Sequence, residues 1–338
     1  MICQSKLMAR GAVILLVLAL AACAPAGTPA PEAPPESAAA PEVQVESARA
    51  PTTESPIRVL AYAPDGAMLV SGHGDGMLLR RDTAGAAIAA LNGHEGAIVA
   101  IAVSPDGARI ATIGEDKRTR IQSADGSSVW TVPESLSLAN SVDFSPDGET
   151  LAEAYWEKLE FWPMADPSTG ATRAQGLEPS IRLARYAPDG SALAVALANT
   201  GLAQPAILHL DPQDGAVLRS VTPPMPVEAL VYAPDGSRYA TATAEGVQIW
   251  TAEGAAPEHT LDVTDVRAMA FRADGSSFYT AAQPGAELEV TRWSLEDGTA
   301  LDSRTIDANG YAAVAFAPDL SAIAVGDADG AVTVTAIE

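Results

Sequence analysis

The stretch AIVAIAVSPDGARIATI, residues 97–113, contains the pattern on which the fold depends. Residues 97–103 form a continuous apolar run of the length of a buried strand. Pro-Asp-Gly at 105–107 favours a turn, because Pro fixes φ, Asp bonds to neighbouring backbone and Gly accepts a positive φ. A second apolar run, 109–113, follows at once. The stretch therefore predicts two antiparallel strands joined by a tight turn.

The same strand–turn unit occurs seven times. Pro-Asp-Gly stands at 64–66, 105–107, 146–148, 188–190 and 234–236, and degenerate copies stand at 273–275 (Ala-Asp-Gly) and 318–320 (Pro-Asp-Leu). Successive turn aspartates are 41, 41, 42, 46, 39 and 45 residues apart. A period of about 40 residues is typical of four-stranded propeller blades. The sequence therefore predicts an all-β fold, a seven-bladed β-propeller of four-stranded antiparallel blades, with repeats from about residue 57.

The last repeat is incomplete. Residues 330–338 supply a third strand and no fourth, whereas Val-Gln-Val-Glu at 43–46 alternates like a strand ahead of the first repeat. Pairing of this N-terminal segment with the last blade would leave no open sheet edge. We therefore predict that the segment closes the ring and that the propeller domain spans 43–338.

The N-terminus has the pattern of an export signal. A positively charged region precedes an uncharged apolar run, 11–22, which is too short to span a membrane. The run ends in Leu-Ala-Ala-Cys at 20–23, which resembles the lipobox of bacterial lipoproteins. The resemblance implies that residues 1–22 are a removed signal peptide and that Cys23 becomes the lipidated first residue.

The residues after the signal predict a tether. Residues 23–42 comprise the cysteine and a Pro/Ala-rich segment that cannot bury enough apolar surface to fold. The lipoprotein resemblance implies an exported protein held in the cell envelope through its N-terminal lipid. Ala24 after the cysteine implies outer-membrane sorting if the host is Gram-negative.

The charge narrows the class of partner. The chain has 20 Lys and Arg against 43 Asp and Glu, a net charge of −23. Nucleic-acid binding needs clustered basic residues to neutralise phosphates, so the charge speaks against it. An acidic surface favours a basic protein partner through electrostatic steering, or it serves only to keep the domain soluble. The two cysteines allow no disulfide framework.

The repeats resemble the WD-repeat β-propeller family. The turns at 104–107 and 144–148, Gly-His at 93–94 and Ile-Trp at 249–250 carry the resemblance. The comparable residues predicted to hold the repeats together are His94, Thr112, Asp116, Trp162, Trp250 and Trp293. Arg81, Gln122 and Leu210 stand where other repeats have Trp, so the family's buried His–Ser/Thr–Asp–Trp set is at most partial here. The runner-up relative is the Tol-associated periplasmic propeller, which also carries Ser-Pro-Asp-Gly turns.

The WD-repeat resemblance implies a protein-binding or assembly platform. Bends between second and third strands share one face with the connections between blades. We predict that this face binds the partner through His73, Asp75, Glu115, Arg118, Trp156, Glu157, Glu245 and Asp327. Trp156 either anchors the partner or packs over a blade edge.

The sequence holds no recognisable catalytic motif. It lacks a Gly-x-Ser-x-Gly elbow, a phosphate-binding loop and a His-Glu-x-x-His helix. Asp-Ala-Asp-Gly at 327–330 has too few ligands for calcium and is interpreted as a bend. We therefore expect no catalytic residue, no metal and no cofactor. The alternative is a propeller hydrolase or lyase with a metal at the channel mouth.

Overall fold

The computed structural model describes residues 55–132, 137–177, 180–198, 204–308 and 313–337. Within these ranges the chain forms strands almost throughout, and its one helix is a short 3-10 turn, Pro167–Thr169. The strands form seven sheets of consecutive antiparallel strands. The seven-bladed β-propeller predicted from the repeats is confirmed.

Blades 1 to 3 follow the repeats in order. Blade 1 comprises β1 (Ile57–Tyr62), β2 (Leu69–His73), β3 (Leu78–Arg81) and β4 (Ala87–Leu91). Blade 2 comprises β5 (Ile98–Val103), β6 (Arg109–Gly114), β7 (Thr119–Ser123) and β8 (Val129–Thr131). Blade 3 comprises β9 (Ala139–Phe144), β10 (Thr150–Tyr155), β11 (Leu159–Pro163) and β12 (Thr172–Arg173).

Blades 4 to 7 repeat the plan. Blade 4 comprises β13 (Ile181–Tyr186), β14 (Leu193–Leu197), β15 (Ala206–Leu210) and β16 (Val217–Val221). Blade 5 comprises β17 (Ala229–Tyr232), β18 (Arg238–Thr243), β19 (Gly246–Thr251) and β20 (His259–Leu261). Blade 6 comprises β21 (Val266–Phe271), β22 (Ser277–Ala282), β23 (Glu287–Ser294) and β24 (Ala300–Asp307). Blade 7 comprises β25 (Ala313–Phe316), β26 (Ala322–Gly326) and β27 (Val332–Ala336).

Blade 7 has three strands among the described residues. Its outermost strand, β27, is partly exposed along its length, whereas the third strand of blade 5, β19, is almost wholly buried. The segment predicted to complete this blade, 43–46, lies outside the described residues, as do the signal peptide, Cys23 and the tether. Ring closure by 43–46 stays a prediction, and an unchanged melting temperature after deletion of residues 43–50 would contradict it.

The hydrophobic core lies between the blades. Seven clusters of buried side chains each join two neighbouring blades, and the cluster of Ile57 and Leu69 with Ala313 and Ala324 joins blade 1 to blade 7. A single sheet has two apolar faces and cannot cover either by itself. Each blade is therefore stabilised mainly by its two neighbours.

The Pro-Asp-Gly turns link first to second strands by one recurring geometry. Gly66, Gly107 and the equivalent glycines have φ between 68° and 72°. In blade 7, Leu320 occupies this position with φ 59° and is 1% exposed. Burial of its side chain in the contact between blades 6 and 7 offsets the strain of a left-handed backbone at a non-glycine residue.

Candidate functional site

The bends that join the second strand of a blade to the third lie beside the residues at which the first strands begin. Backbone hydrogen bonds from Gly74 to Pro56 (2.9 Å), from Glu115 to Ala97 (2.9 Å) and from Gln283 to Asp265 (3.0 Å) join the two sets of loops. Each donor lies just after the second strand of its blade, and each acceptor just before the first. These loops therefore form one face of the propeller, which we call the bend face.

The predicted binding residues fall into two groups by exposure. The structure places Asp75, Glu115, Arg118, Trp156, Glu157, Glu245 and Asp327 in bends between second and third strands. Glu115, Trp156, Glu157 and Glu245 are exposed, and Asp75, Arg118 and Asp327 are half-buried. Asp327 uses its carboxylate to accept backbone N–H groups of Asp329 and Ala331, as expected for a bend.

The prediction that His73 belongs to the exposed face is wrong. His73 is the last residue of β2 and its side chain is fully buried. Its Nδ1 lies 3.1 Å from the carbonyl oxygen of Ser55 and its Nε2 lies 3.0 Å from Ser71 Oγ. Burial lowers the pKa of this imidazole, and Arg81 lowers it further. His73 therefore contributes to packing within blade 1.

Trp156 is the large aromatic residue of the bend face. Its carbonyl oxygen accepts the backbone N–H groups of Ser180 (2.7 Å) and Ile181 (3.1 Å), which fixes the bend of blade 3 to the start of blade 4. The side chain is 46% exposed. The backbone of Trp156 is thus fixed in the bend, and almost half of the surface of its side chain is open to solvent.

Blade 2 contains the partial hydrogen-bond set expected from the family resemblance. His94 Nδ1 lies 2.9 Å from Asp116 Oδ1, and His94 Nε2 lies 2.9 Å from Thr112 Oγ1. Burial lowers the pKa of His94, although Asp116 opposes the shift. Burial would raise the pKa of Asp116, but the charge of His94 and hydrogen bonds from His94 and two backbone N–H groups hold it below its usual value.

The three third-strand tryptophans donate to the second strands of their own blades. Trp250 Nε1 donates to Thr241 Oγ1 (3.0 Å) and Trp293 Nε1 donates to Thr280 Oγ1 (2.9 Å). In blade 3, Trp162 Nε1 donates to the buried carboxylate of Glu153 (2.8 Å). Burial raises the pKa of Glu153. The tryptophan donor on the third strand thus recurs in three blades, whereas its acceptor on the second strand is Thr in two of them and Glu in the other.

Blades without this tryptophan use other contacts at the same place. The tryptophan position, which Trp250 occupies opposite Tyr239 in blade 5, is occupied by a different residue in three blades. These residues and their second-strand partners are Arg81 with Leu69, Gln122 with Ile110, and Leu210 with Leu193. Gln122 bonds to both backbone groups of Asn92 in the preceding connection, and Arg81 donates to Gly330 of blade 7. Leu210 packs in the core shared with blade 3. Each of these substitutes ties its blade to the preceding one.

The propeller axis contains a cavity of about 850 Å³. First strands of blade 1 and of blades 3 to 7 line it, with Trp156 among the lining residues. Its polar lining includes Arg182, Arg185, Glu228 and Arg267. Sequence reasoning missed these residues, although a polar residue recurs at the second position of several first-strand runs and could have indicated Arg182 and Arg267.

The described part of the chain offers little for metal chemistry. It contains no group of three His, Cys, Asp or Glu side chains placed to hold a metal ion. Glu228 is the one carboxylate among the described residues of the cavity lining, and calcium or magnesium sites need several oxygen ligands. Over the same described ranges, no helix has the length and apolarity to cross a membrane.

Comparison with known proteins supports the fold. Residues 85–122, which run from the fourth strand of blade 1 into the third strand of blade 2, match the sequence model "WD domain, G-beta repeat" of the WD40 family. The structure is similar to the crystal structure of the Cps50 (Swd1) β-propeller domain from Myceliophteria thermophila, with a TM-score of 0.71. That similarity has 13% sequence identity and covers 84% of this chain and 98% of the other. No curated protein sequence matches the chain. The chain therefore has a WD40 repeat in blade 2 and a propeller fold that matches a WD40 propeller.

Proposed function

We propose that the protein is a lipid-anchored platform that holds a protein partner in the bacterial cell envelope. WD40 propellers generally bind protein partners, which supports a binding function. The observation that carries the proposal is Trp156, whose backbone carbonyl accepts two hydrogen bonds from the start of blade 4 and whose aromatic side chain is 46% exposed on the bend face. Exposed aromatic residues are enriched among the energetically dominant contacts of interfaces.

The charged residues of the bend face would select and orient the partner. Glu115, Glu157 and Glu245 are exposed on the same face, and rim charges of this kind act mainly on association rate and specificity. A partner that presents basic residues to these carboxylates fits this rim.

The envelope location rests on the sequence at 20–23. A cysteine directly after a 12-residue apolar run supports lipidation of Cys23, and several acyl chains would anchor the protein stably. In a bacterial host, Cys23→Ser should release the protein into the soluble fraction and abolish acyl labelling. Continued acyl labelling of the variant would contradict the anchor.

Partner binding is tested by crosslinking the full-length chain in intact envelopes and purifying it under denaturing conditions. Trp156→Ala should reduce recovery of the crosslinked partner about thirtyfold, because large interface aromatics each contribute about 2 kcal/mol or more. Leu218→Ala is the matched control, since Leu218 is 57% exposed but lies on the fourth strand of blade 4. Equal losses in both variants, or no reproducible partner with the unchanged chain, would refute the platform.

A further inference from the structure

The outermost described strand of blade 7, β27, has one edge without a partner strand. Ala331 and Ile337 form backbone hydrogen bonds to the residues that flank β26. Alternate residues of an antiparallel strand direct their backbone groups to opposite sides. The N–H and C=O groups of Val332, Val334 and Ala336 therefore point away from β26, and no strand among the described residues pairs with them. An edge of this kind is a template for one more strand.

The space for such a strand lies between blades 6 and 7. A cavity of about 600 Å³ is lined by residues of blade 6 and by Ile337 of blade 7. Arg304 of blade 6 is one of the lining residues, and its Nη1 donates to the carbonyl oxygen of Ala336 (3.2 Å). The fourth strand of blade 6, β24, is exposed at seven of its eight residues. A fourth strand on blade 7 would cover part of this surface.

The spacing of the other blades indicates which residues would fill this place. Each of blades 1 to 5 has a fourth-strand residue opposite the beginning of its third strand. This residue lies five to seven positions ahead of the apolar residue that opens the next first strand. The five pairs are Leu91 and Ile98, Val132 and Ala139, Ala174 and Ile181, Val221 and Val227, and Leu261 and Val266. Because β1 begins at Ile57, the corresponding residue of blade 7 is 50, 51 or 52.

The sequence distinguishes these three candidates. The residue opposite Val332 exchanges backbone hydrogen bonds with it, and Pro51 has no N–H to donate. In blades 1 to 5 the residue is Leu, Val or Ala and is buried or half-buried, which Ala50 matches and Thr52 does not. Ala50 also lies seven residues ahead of Ile57, the distance found in blades 1 to 3. Ala50 therefore fits the place opposite Val332.

We propose that residues 46–50 form the outermost strand of blade 7, with Ala50 opposite Val332 and Ala48 opposite Val334. This strand lies nearer to β1 in sequence than the segment 43–46 that the alternation of residues indicated. Small side chains at 47, 48 and 50 fit beside β27. Glu46 and Arg49 place charges on the outer strand, where they oppose pairing with a further chain.

The direction of this strand decides where the N-terminal segment leaves the propeller. First strands begin at the bend face and successive antiparallel strands alternate in direction, so every fourth strand runs toward the bend face. It begins at the opposite end, which carries the Pro-Asp-Gly turns and which we call the turn face. The chain ahead of residue 46 then leaves at the turn face, whereas Trp156 lies on the bend face. In the platform proposed above, on which this consequence rests, the tether is attached away from the surface that binds the partner.

Disulfide trapping tests the register in the full-length chain. Ser47 would lie opposite Thr335 in a pair without mutual backbone hydrogen bonds, whose Cα atoms are about 4.5 Å apart and within reach of a disulfide. Gln44 lies three residues further along, about 10 Å from that place. After mild oxidation, Ser47→Cys/Thr335→Cys should give about tenfold more peptide linked within one chain than Gln44→Cys/Thr335→Cys, measured by mass spectrometry.

Each other outcome overturns the assignment. An equal or larger yield from Gln44→Cys/Thr335→Cys would remove the preference for residues 46–50. A disulfide between two chains would place a second copy on the edge of β27. No link in either variant, with the melting temperature of the unchanged chain, would show that the edge is not covered by this segment.

Proline variants test the same register without cysteine. The N–H group of Ala48 would point to Val334, so Ala48→Pro removes a hydrogen bond of the sheet and should lower the melting temperature by several degrees. The N–H group of Ser47 would point to solvent, so Ser47→Pro is the matched control and should melt near the temperature of the unchanged chain. Equal effects of the two prolines would overturn the register.

Neither test requires a partner, so the strand assignment and the platform fail separately. If residues 47 and 335 are linked but no partner is crosslinked, the strand assignment stands and the platform is refuted. If the partner depends on Trp156 but residues 47 and 335 do not form the link, the platform stands and the strand assignment is refuted.

Discussion

Blades 1 and 2 build the same hydrogen bond from different parts of the chain. In blade 2 the imidazole Nε2 that meets the second-strand hydroxyl belongs to His94, in the connection before β5. In blade 1 it belongs to His73, at the end of β2 itself. The hydroxyl groups, of Thr112 and Ser71, occupy equivalent register positions in β6 and β2.

Steric exclusion explains why the two arrangements do not coexist. His73 and Gly114 pair with equivalent residues, Ile57 and Ile98. A Cβ added at Gly114 would lie 2.4 Å from the ring of His94. Glycine at this position therefore leaves room for an imidazole from the connection, whereas His73 fills that room from within the strand. Both blades therefore have a hydrogen bond between an imidazole and a second-strand hydroxyl, although the histidine comes from a different place in the sequence.

The group that holds the second ring nitrogen of the histidine also differs between the two blades. His94 is held by the carboxylate of Asp116, which lies in the following bend. His73 is held by a backbone carbonyl, and Ser71 also accepts from Arg81 Nε at 2.8 Å. Blade 1 thus exchanges an aspartate for an arginine. Because Arg81 also reaches Gly330 (3.0 Å), the network of blade 1 extends across the junction where the first and last repeats meet.

The largest effect is expected from Arg81→Met. This change removes the hydrogen bonds to Ser71, Gly85 and Gly330 and leaves two buried carbonyl oxygens without their charged donor. The free energy of unfolding should fall by about 3–5 kcal/mol, measured by guanidinium denaturation of the full-length chain. Arg58→Met, at an exposed position of β1, should change it by less than about 0.5 kcal/mol. A loss below about 1 kcal/mol for Arg81→Met would show that this network does not hold blade 1 to blade 7.

Gly114→Ala should have the next largest effect. The added methyl group would collide with the ring of His94 and break its bonds to Thr112 and Asp116. We expect a loss of about 2–3 kcal/mol, the usual cost of overpacking a filled site. Gly285→Ala is the control, because no atom lies within 4 Å of its added Cβ and its φ is not positive. If both variants had the wild-type melting temperature, the steric account of the two blades would be wrong.

The fold could be predicted from the sequence because its determinants are local. Pro-Asp-Gly specifies a turn within three residues, and the spacing of the seven copies specifies the blades. The three described strands of the seventh repeat follow the same spacing. Positions 81, 122 and 210 were also aligned correctly with the tryptophan positions, because the turn on either side fixes the register.

The contacts of the candidate site could not be predicted in the same way. Arg81 and Gly330 are separated by 249 residues, and only closure of the ring brings them together. His73 precedes a glycine-rich bend, so its position indicated exposure, whereas Ser71 and Ser55 hold it inside. Arg182 and Arg267 face the axis because of β-bulges, which depend on pairing with the next strand.

The smallest effect, and the one that depends on pH, is expected for Asp116→Asn. Asparagine keeps an oxygen acceptor for His94 but lacks the charge, so the loss at pH 7.5 should be about 1 kcal/mol. Burial holds the pKa of folded His94 below its unfolded value of 6.5, and Asp116 opposes that shift. As the pH falls below 6.5, His94 of the unfolded chain becomes protonated, whereas folded His94 stays neutral to a lower pH because its pKa is lower. The stability contributed by neutral His94 is therefore complete above pH 6.5 and is lost on acidification.

Without Asp116, the pKa of folded His94 should lie lower still. The difference in unfolding free energy between wild type and Asp116→Asn should therefore widen between pH 7.5 and pH 5, both of which lie above the range in which the carboxyl group itself titrates. Asp106→Asn, in an exposed turn where Ser104 is the side-chain donor, should show no such widening. A pH-independent difference for Asp116→Asn would mean that Asp116 serves blade 2 only as a hydrogen-bond acceptor. In that case the backbone carbonyl of Ser55, which lies against His73 in blade 1, would do the same as Asp116 does in blade 2. The two blades would then differ only in the geometry of the hydrogen bond.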